Sequence, residues 1–432
     1  MSDLKGKKLL ILGGSRISCE IVRKARELGV HTTVTDWYPL EKSPAKQIAD
    51  EYFMTSTSDI PAMEKLIREN NIDGITTGYT DSVLPYYADM CEATGLPAYG
   101  TRKQFEILTD KTKYKKLCKQ FNVPVIDEYD IKEADLETSK INDIKYPVLV
   151  KPADGSGARG VFICNDPNEL KVKYREALNY SQSKNILVER YVNGKEVTVF
   201  YLLDDGEIYL TGMGNRHMKH NQEGIIPLPV AYTFPSVYLD SYMKDTDENV
   251  KEMFRSLGMK NGMVFMQCLI KDDECIVYDI GYRLTGTLEY KLMNAIDSYD
   301  PLEMFIRFAL TGQMSEKKLD KIITPIWKQY ACNVSFLMKP GTIEEIKGIE
   351  KIKEIPGVVD AVLAHDIGDT LQEEAKGMLK QIMLRVFAIA NSEEQLKKML
   401  NDIYHSLEVN GENGEKLLLE GLDATEIEGV LL

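Results

Sequence analysis

The stretch YPVLVKPADGSGARGVFIC, residues 146–164, sets a β-forming apolar run, a lysine, a glycine-rich loop and a second β-forming run in immediate succession. Gly155, Gly157 and Gly160 let the backbone approach an anion closely and aim several N–H groups at it, and Ser156 and Arg159 add donors. No Gly-Lys-Ser/Thr follows, so the loop is not a Walker A loop. Strands on both sides predict a hairpin flap able to close over a nucleotide, with a merely flexible hairpin as the plain alternative. Lys151 stands within the apolar run, where an ammonium group is expensive to bury without an anionic partner such as a phosphate; a lysine at a strand end can also be solvated.

Outward from this stretch lie two further candidates. Glu189-Arg190-Tyr191-Val192-Asn193-Gly194-Lys195-Glu196 carries an acid at the end of ILVE, a linker, and a second acid opening the next strand. Backbone groups of such a linker can hydrogen-bond adenine, and Glu196 can accept from two ribose hydroxyls. Further on, FMQCLI (265–270) and CIVYDIGYR (275–283) flank an acidic turn. The two strands place Gln267 and Asp279 on one face, where oxygen ligands can share Mg²⁺. An isolated strand aspartate is usually structural, so this pair matters in combination with the others.

The amino-terminal region reads strand, turn, helix, strand: KKLLIL (7–12), Gly13-Gly14-Ser15, a segment with Ile17, Ile21, Val22, Ala25 and Leu28 at helical spacing, then His31–Thr35 with Asp36 at its end. This predicts a parallel sheet. A glycine turn followed by an acid resembles a dinucleotide-binding pattern, but GGSRIS is not GxGxxG, and a tight turn needs glycine with or without a ligand. Boundaries are expected near residues 97 and 317, giving a parallel-sheet domain (1–97), a mixed middle domain (98–316) and a small α+β domain (317–432).

Composition narrows the classes. With 53 Lys plus Arg against 67 Asp plus Glu, net −14, the chain is not built to coat nucleic acid. No apolar run reaches a membrane span, and the start MSDLKGKKLLILGGS suits neither secretion nor anchoring, so a cytoplasmic protein is expected. Seven scattered cysteines without a CxxC pair read as reduced thiols, and His217 with His220 lacks companions at zinc-ligand spacing.

Read in order, Asp110-Lys111, Lys151 with DGSGARG, Glu189 with Glu196, Gln267, Asp279 and Arg283 resemble the ATP-grasp superfamily, in its biotin-carboxylase-like and L-amino acid ligase branch. The resemblance implies an α/β chain with a pre-ATP-grasp domain, an ATP-grasp domain whose hinged lid covers about 115–190, and a C-terminal α+β domain. By position it implies that Lys111 and Lys151 hold ATP phosphates, that Asp154, Gly155, Ser156, Gly157 and Gly160 belong to the closing loop, that Glu189, Arg190, Tyr191 and Val192 hold adenine and Glu196 the ribose, and that Gln267 and Asp279 bind Mg²⁺, with Mn²⁺ as a substitute. Arg283 looks like the family arginine that steadies an acyl phosphate. Many members read E-x-N-x-R where this chain reads Asp279-Ile280-Gly281-Tyr282-Arg283, so Gly281 stands in for a metal ligand.

The implied activity is carboxylate–amine ligation: ATP converts a small carboxylate to an acyl phosphate, and an amine displaces phosphate to give an amide. Bicarbonate chemistry of the carboxylase or carbamoyl-phosphate kind is the alternative within the family. Outside it stand a non-catalytic ATP-binding module, suggested by Gly281, and a nicotinamide enzyme, suggested by Gly13, Gly14 and Asp36. Substrate contacts are expected from the segment 212–242, with Arg216, His217 and Lys219, and from Asp81; a long surface loop is the plain reading of that segment. A homodimer suits the branch, and no membrane or nucleic-acid partner is expected.

Overall fold

An apolar strand leading through a glycine turn into an amphipathic helix buries its surface best as a parallel sheet covered by helices. In the computed structural model, which describes residues 3–154, 160–219 and 227–432, the chain begins this way. Strands β1 (Lys8–Leu12), β2 (His31–Thr35), β3 (Glu51–Phe53) and β4 (Gly74–Thr76) are parallel, in the order β3-β2-β1-β4. The turn after β1 uses Gly13 at φ +95, a conformation open to glycine at little cost. The helix Cys19–Glu27 buries Ile21, Val22 and Ala25 against the sheet. A Cβ on Gly74 would stand 2.1 Å from the Ala309 carbonyl oxygen, so glycine is what lets β4 lie against the helix Pro301–Thr311.

A second sheet is antiparallel: β5 (Glu128–Tyr129), β6 (Val148–Pro152), β7 (Phe162–Cys164) and β8 (Ile186–Arg190), in the order β5-β8-β6-β7. Its own core joins Val148, Val150, Cys164 and Val188 to Leu170 and Tyr174 of the helix Pro167–Ala177. Asp166 caps that helix, accepting from the N–H groups of Asn168 and Glu169.

The remaining strands are β9 (Lys195–Asp204), β10 (Glu207–Lys219), β11 (Leu228–Phe234), β12 (Gly262–Lys271), β13 (Glu274–Gly281), β14 (Tyr330–Leu337), β15 (Gly341–Thr342), β16 (Glu345–Lys347), β17 (Val358–Leu363), β18 (Thr370–Leu371), β19 (Ile382–Ala390) and β20 (Glu408–Asn410). Eight of them form one antiparallel sheet, β13-β12-β9-β10-β11-β14-β19-β17, while β15 pairs with β18 and β16 with β20. The large sheet runs across position 317, because Ala231 on β11 pairs with Val334 on β14. One apolar cluster unites the parallel sheet with β9, β12 and the helix Pro301–Thr311, and a second lies under β14, β19 and the helix Glu393–Tyr404.

Two elements differ from the sequence reading. The segment 212–242 is not a surface loop: β10 and β11 occupy most of it, and Arg216, His217 and Lys219 are strand residues. Glycines and charges interrupt the alternation that would mark a strand, and pairing on both sides supplies the stability instead. β19, a central strand with Met383, Leu384, Val386 and Phe387 fully buried, had no signal of its own because apolar residues on both faces leave no period-2 pattern. Among the described residues no helix is long and apolar enough to cross a membrane, and all seven cysteines are buried free thiols.

Candidate active site

A cavity of about 580 Å³ collects residues from every part of the fold. Leu149, Lys151 and Ile163 come from β6 and β7; Arg190 to Glu196 from the β8–β9 linker; Gln267, Leu269 and Asp279 from β12 and β13; Asp81 from beyond β4; Glu426 and Val430 from the tail.

Lys111 opens the helix Lys111–Gln120, whose N-cap Asp110 accepts from the N–H groups of Thr112 and Lys113. The Lys111 N–H donates to the Ala153 carbonyl, which ties this helix start to the end of β6. Its Nζ stands 3.7 Å from Asp279 Oδ1. Lys151, 4% exposed on β6, places Nζ 2.9 Å from Glu189 Oε2 on β8. Lys115 grips the other Glu189 oxygen and stands 2.7 Å from Glu128. Burial pushes the Glu189 carboxyl upward, but Lys151 and Lys115 outweigh it and hold the group below the usual range.

Glu189 is fully buried and outside the cavity wall, whereas Arg190, Tyr191 and Val192 line it. Its carboxylate thus fixes Lys151. The strand pattern did not show this role; the signal for the second lysine was Lys115, one helical turn from Lys111. The linker lies against β12 because position 194 is glycine: a Cβ there would meet the Ile270 carbonyl oxygen at 2.5 Å.

Glu196 lines the cavity already engaged. It receives Arg216 and the Tyr278 hydroxyl at 2.6 Å, and Arg216 also donates to the hydroxyls of Tyr278 at 2.6 Å and Tyr232 at 3.1 Å. Arg216, expected from sequence as a substrate contact, therefore belongs with Glu196. His217 points its Nε2 at Thr233 Oγ1, 2.9 Å away, and burial pushes its imidazole down to about 4. Lys219 pairs with Glu426 at 2.7 Å, which holds the tail to β10.

Gln267 and Asp279 face each other directly across β12 and β13, turned back by Asp272 and Asp273, both at positive φ. An amide oxygen and a carboxylate side by side are hard donors that fit Mg²⁺ sharing its remaining positions with phosphates and water. Among the described residues no group of three His, Cys, Asp or Glu could hold a metal by itself. The glycine at 281 has a structural cause: a Cβ there would stand 2.2 Å from the Phe265 ring, and that ring also carries the Arg283 guanidinium 5.0 Å from its centroid. The space an asparagine would need is taken by the side chain that shelves Arg283.

Arg283 and Asp81 form a two-pronged pair, Nε to Oδ1 at 2.6 Å and Nη2 to Oδ2 at 2.7 Å. Burial works against this cation, but Asp81 outweighs it and holds the guanidinium above its ordinary pKa. Asp154 receives Ser181 Oγ and the N–H groups of Gln182 and Ser183, anchoring one end of the glycine loop. At the other end Gly160 takes φ +70 beside Tyr180. Gly155, Ser156 and Gly157 lie outside the described residues.

The amino-terminal glycine turn offers no comparable site. Asp36 receives the Gly14 N–H, Ser43 Oγ, the Tyr38 N–H and Lys46, the last at 2.6 Å. An acid so occupied holds its own turn together and has no lone pair left for a ribose, which removes the basis for a nicotinamide reading.

The whole architecture is shared with the L-amino acid ligase from Bacillus licheniformis, with a TM-score of 0.76 at 19% identity over 95% of this chain and all of that one. The biotin carboxylase domain of Hydrogenobacter thermophilus 2-oxoglutarate carboxylase has a TM-score of 0.75 at 20% identity over 96% of this chain and 91% of that one. In sequence, the formate-dependent phosphoribosylglycinamide formyltransferase of Sulfurisphaera tokodaii is 27% identical over 368 residues, 82% of this chain and 86% of that protein. Fold and site together define an ATP-grasp enzyme, an ATP-dependent ligase that forms C–N bonds. Residues 110–262 match the family described as the carbamoyl-phosphate synthase L chain, ATP binding domain, and the chain belongs to the ATP-grasp superfamily.

Proposed function

We propose that the chain activates a small-molecule carboxylate with ATP and couples it to an amine, releasing ADP and phosphate. The observation that supports this most is the meeting of Lys111, Lys151, Gln267, Asp279 and Arg283 at one cavity from separate segments. Lys111 and Lys151 hold the phosphates, with Lys151 kept in place by Glu189. Arg190, Tyr191 and Val192 receive adenine, and the Glu196–Arg216–Tyr278 cluster bounds the ribose side. Mg²⁺, or Mn²⁺ in its place, would be held by Gln267 and Asp279 and would supply charge neutralisation among the phosphates.

A substrate carboxylate oxygen attacks the γ-phosphorus as the bond to the β–γ bridging oxygen breaks, giving an acyl phosphate and ADP. The amine nitrogen then attacks the acyl carbon, the C–O bond to phosphate breaks, and the nitrogen gives up a proton. Arg283 offsets charge on the transferred group and on the tetrahedral oxyanion. The loop bounded by Asp154 and Gly160 serves as a lid, keeping water from the acyl phosphate. Reaching a substrate requires Arg283 to share or leave Asp81, so Asp81 sits where the amine would arrive. The chain is assigned as a homodimer by analogy with the Hydrogenobacter domain, which is described as a dimer.

The test is ADP release with Mg²⁺-ATP across carboxylates and amines, with mass spectrometry of products. A stimulated pair yielding an amide is the expected result; ATP binding without any stimulated turnover would favour a non-catalytic module. A second reading, bicarbonate as the activated acid, is motivated by the bicarbonate bound with MgADP in the Hydrogenobacter domain, and it predicts ADP release that rises with bicarbonate and needs no other carboxylate. Lys151→Ala should weaken ATP binding tenfold or more, the range expected for a lost charge-assisted contact; unchanged affinity by calorimetry would sink the assignment.

A further inference from the structure

Arg385 on β19 is a buried cation that the ATP site does not use. It is 7% exposed, its single hydrogen bond runs from Nη1 to Ser335 Oγ at 2.6 Å, and no carboxylate among the described residues pairs with it. Every other buried arginine here is matched: Arg216 by Glu196, Arg283 by Asp81, Arg307 by Asp3 and Glu316. A guanidinium carries five N–H donors in a planar fork, and leaving most of them idle in a protein interior is unfavourable unless something else takes them.

The sheet register places this cation relative to the cavity. Arg216, on the cavity wall, pairs with Tyr232, which pairs with Asn333; Ser335, two residues along β14 on the same face, pairs with Arg385. Arg385 lies within electrostatic reach of Tyr232, Glu289 and Arg216, and burial lowers its pKa without a contacting anion to offset it. Its surroundings hold one more idle group. Asn333 donates to the Thr287 carbonyl at 2.6 Å and to Glu289, but its Oδ1 is buried without a partner. Glu289, itself fully buried, is occupied by Thr285, Thr287 and Asn333.

We propose that Arg385, steadied by Ser335, forms a second anion subsite that receives an anionic group of the substrate distinct from the carboxylate being activated. The idle Asn333 Oδ1 beside it suits an N–H donor, so an amine that also carries an anionic group satisfies both residues. A carboxylate and a phosphate monoester share the required chemistry. This inference rests on the ligase reading for the meaning of the substrate, but it concerns a binding event that can be measured without turnover.

The experiment is calorimetric titration of the full chain, preloaded with Mg²⁺-ADP, with glycine, glycinamide, phosphoethanolamine and ethanolamine, on the wild type, Arg385→Gln and Arg385→Lys. The expected result is that one anionic amine binds, that its neutral counterpart binds at least tenfold more weakly, that Arg385→Gln removes the difference, and that ADP affinity stays within twofold of wild type. Preference for glycine identifies a carboxylate, and preference for phosphoethanolamine a phosphate. Equal binding of anionic and neutral amines to the wild type, or an anion preference that survives Arg385→Gln, overturns the proposal. Should Arg385→Gln fail to fold, Ser335→Ala and Arg385→Lys carry the test, since each loosens the fork while keeping the charge and should weaken the anionic amine alone. ADP-release assays report separately on the ligase reading, so a ligase lacking this subsite and a subsite without ligase activity give different results.

Discussion

Two regions of the molecule use the same ingredients to opposite ends. At the turn after β1, glycine, an acid and a lysine come together as Gly14, Asp36 and Lys46; at the β6–β8 wall, a glycine loop, an acid and lysines come together as 154–160, Glu189, Lys151 and Lys115. In the first, the acid takes the turn's own N–H, a serine hydroxyl and a fully buried ammonium, and the group is closed. In the second, the acid lies beneath the wall and holds Lys151 where it lines the cavity. What separates a structural cluster from a binding cluster is which member faces the open space.

The largest effect should come from the open cluster. Asp279→Ala is expected to lower Mg²⁺-dependent turnover by at least about 100-fold, the scale of losing a group that organises transition-state charge, with an unchanged circular dichroism melt. Full activity in that variant would show that Asp279 plays no metal role. Removing the acid beneath the wall should affect stability as well as binding. Glu189→Ala leaves Lys151 and Lys115 buried without their shared partner, and breaking a buried ion pair costs about 3–5 kcal/mol; urea denaturation should show this, together with weaker ADP binding.

A pH effect separates the two regions further. His217 is buried neutral with its pKa near 4, against about 6.5 in the unfolded chain. The unfolded state therefore takes up a proton first, so this contribution to stability is complete above about pH 6.5 and is lost as pH falls toward 4, on the order of 3 kcal/mol in all. His217→Gln should flatten stability across that window in denaturant titrations at a series of pH values, while wild type declines. The smallest effect is expected at the closed cluster. Asp36→Ala should cost about 2 kcal/mol, the loss of hydrogen bonds to a charged group, and leave ATP affinity untouched. A change in nucleotide binding there would erase the distinction between the two regions.

Gly281 shows how a motif departure acquires meaning from its neighbour. As a letter in DIGYR it suggested a missing metal ligand. Phe265, sixteen positions earlier in the chain, sits directly across the strand pair, and its ring fills the space an asparagine would need while shelving Arg283. Cross-strand distance is set by register, which a one-dimensional pattern does not carry.

Much was legible in the chain itself. The βαβ opening, the acidic hairpin 271–274, the Asp110 and Asp166 caps, and the lysines, glycines and acids of the nucleotide site all rest on local rules: turn chemistry, helix periodicity and the cost of burying charge. Contacts between distant segments decided the rest. That Glu189 faces Lys151 and Lys115, that Asp81 meets Arg283 across 202 positions, that β14 and β19 extend the same sheet as β9, and that Arg385 is left without an acid all depend on which strands become neighbours. Such pairings follow from the packing of whole sheets, where burial of apolar faces sets register and the polar groups take whatever partners that register supplies.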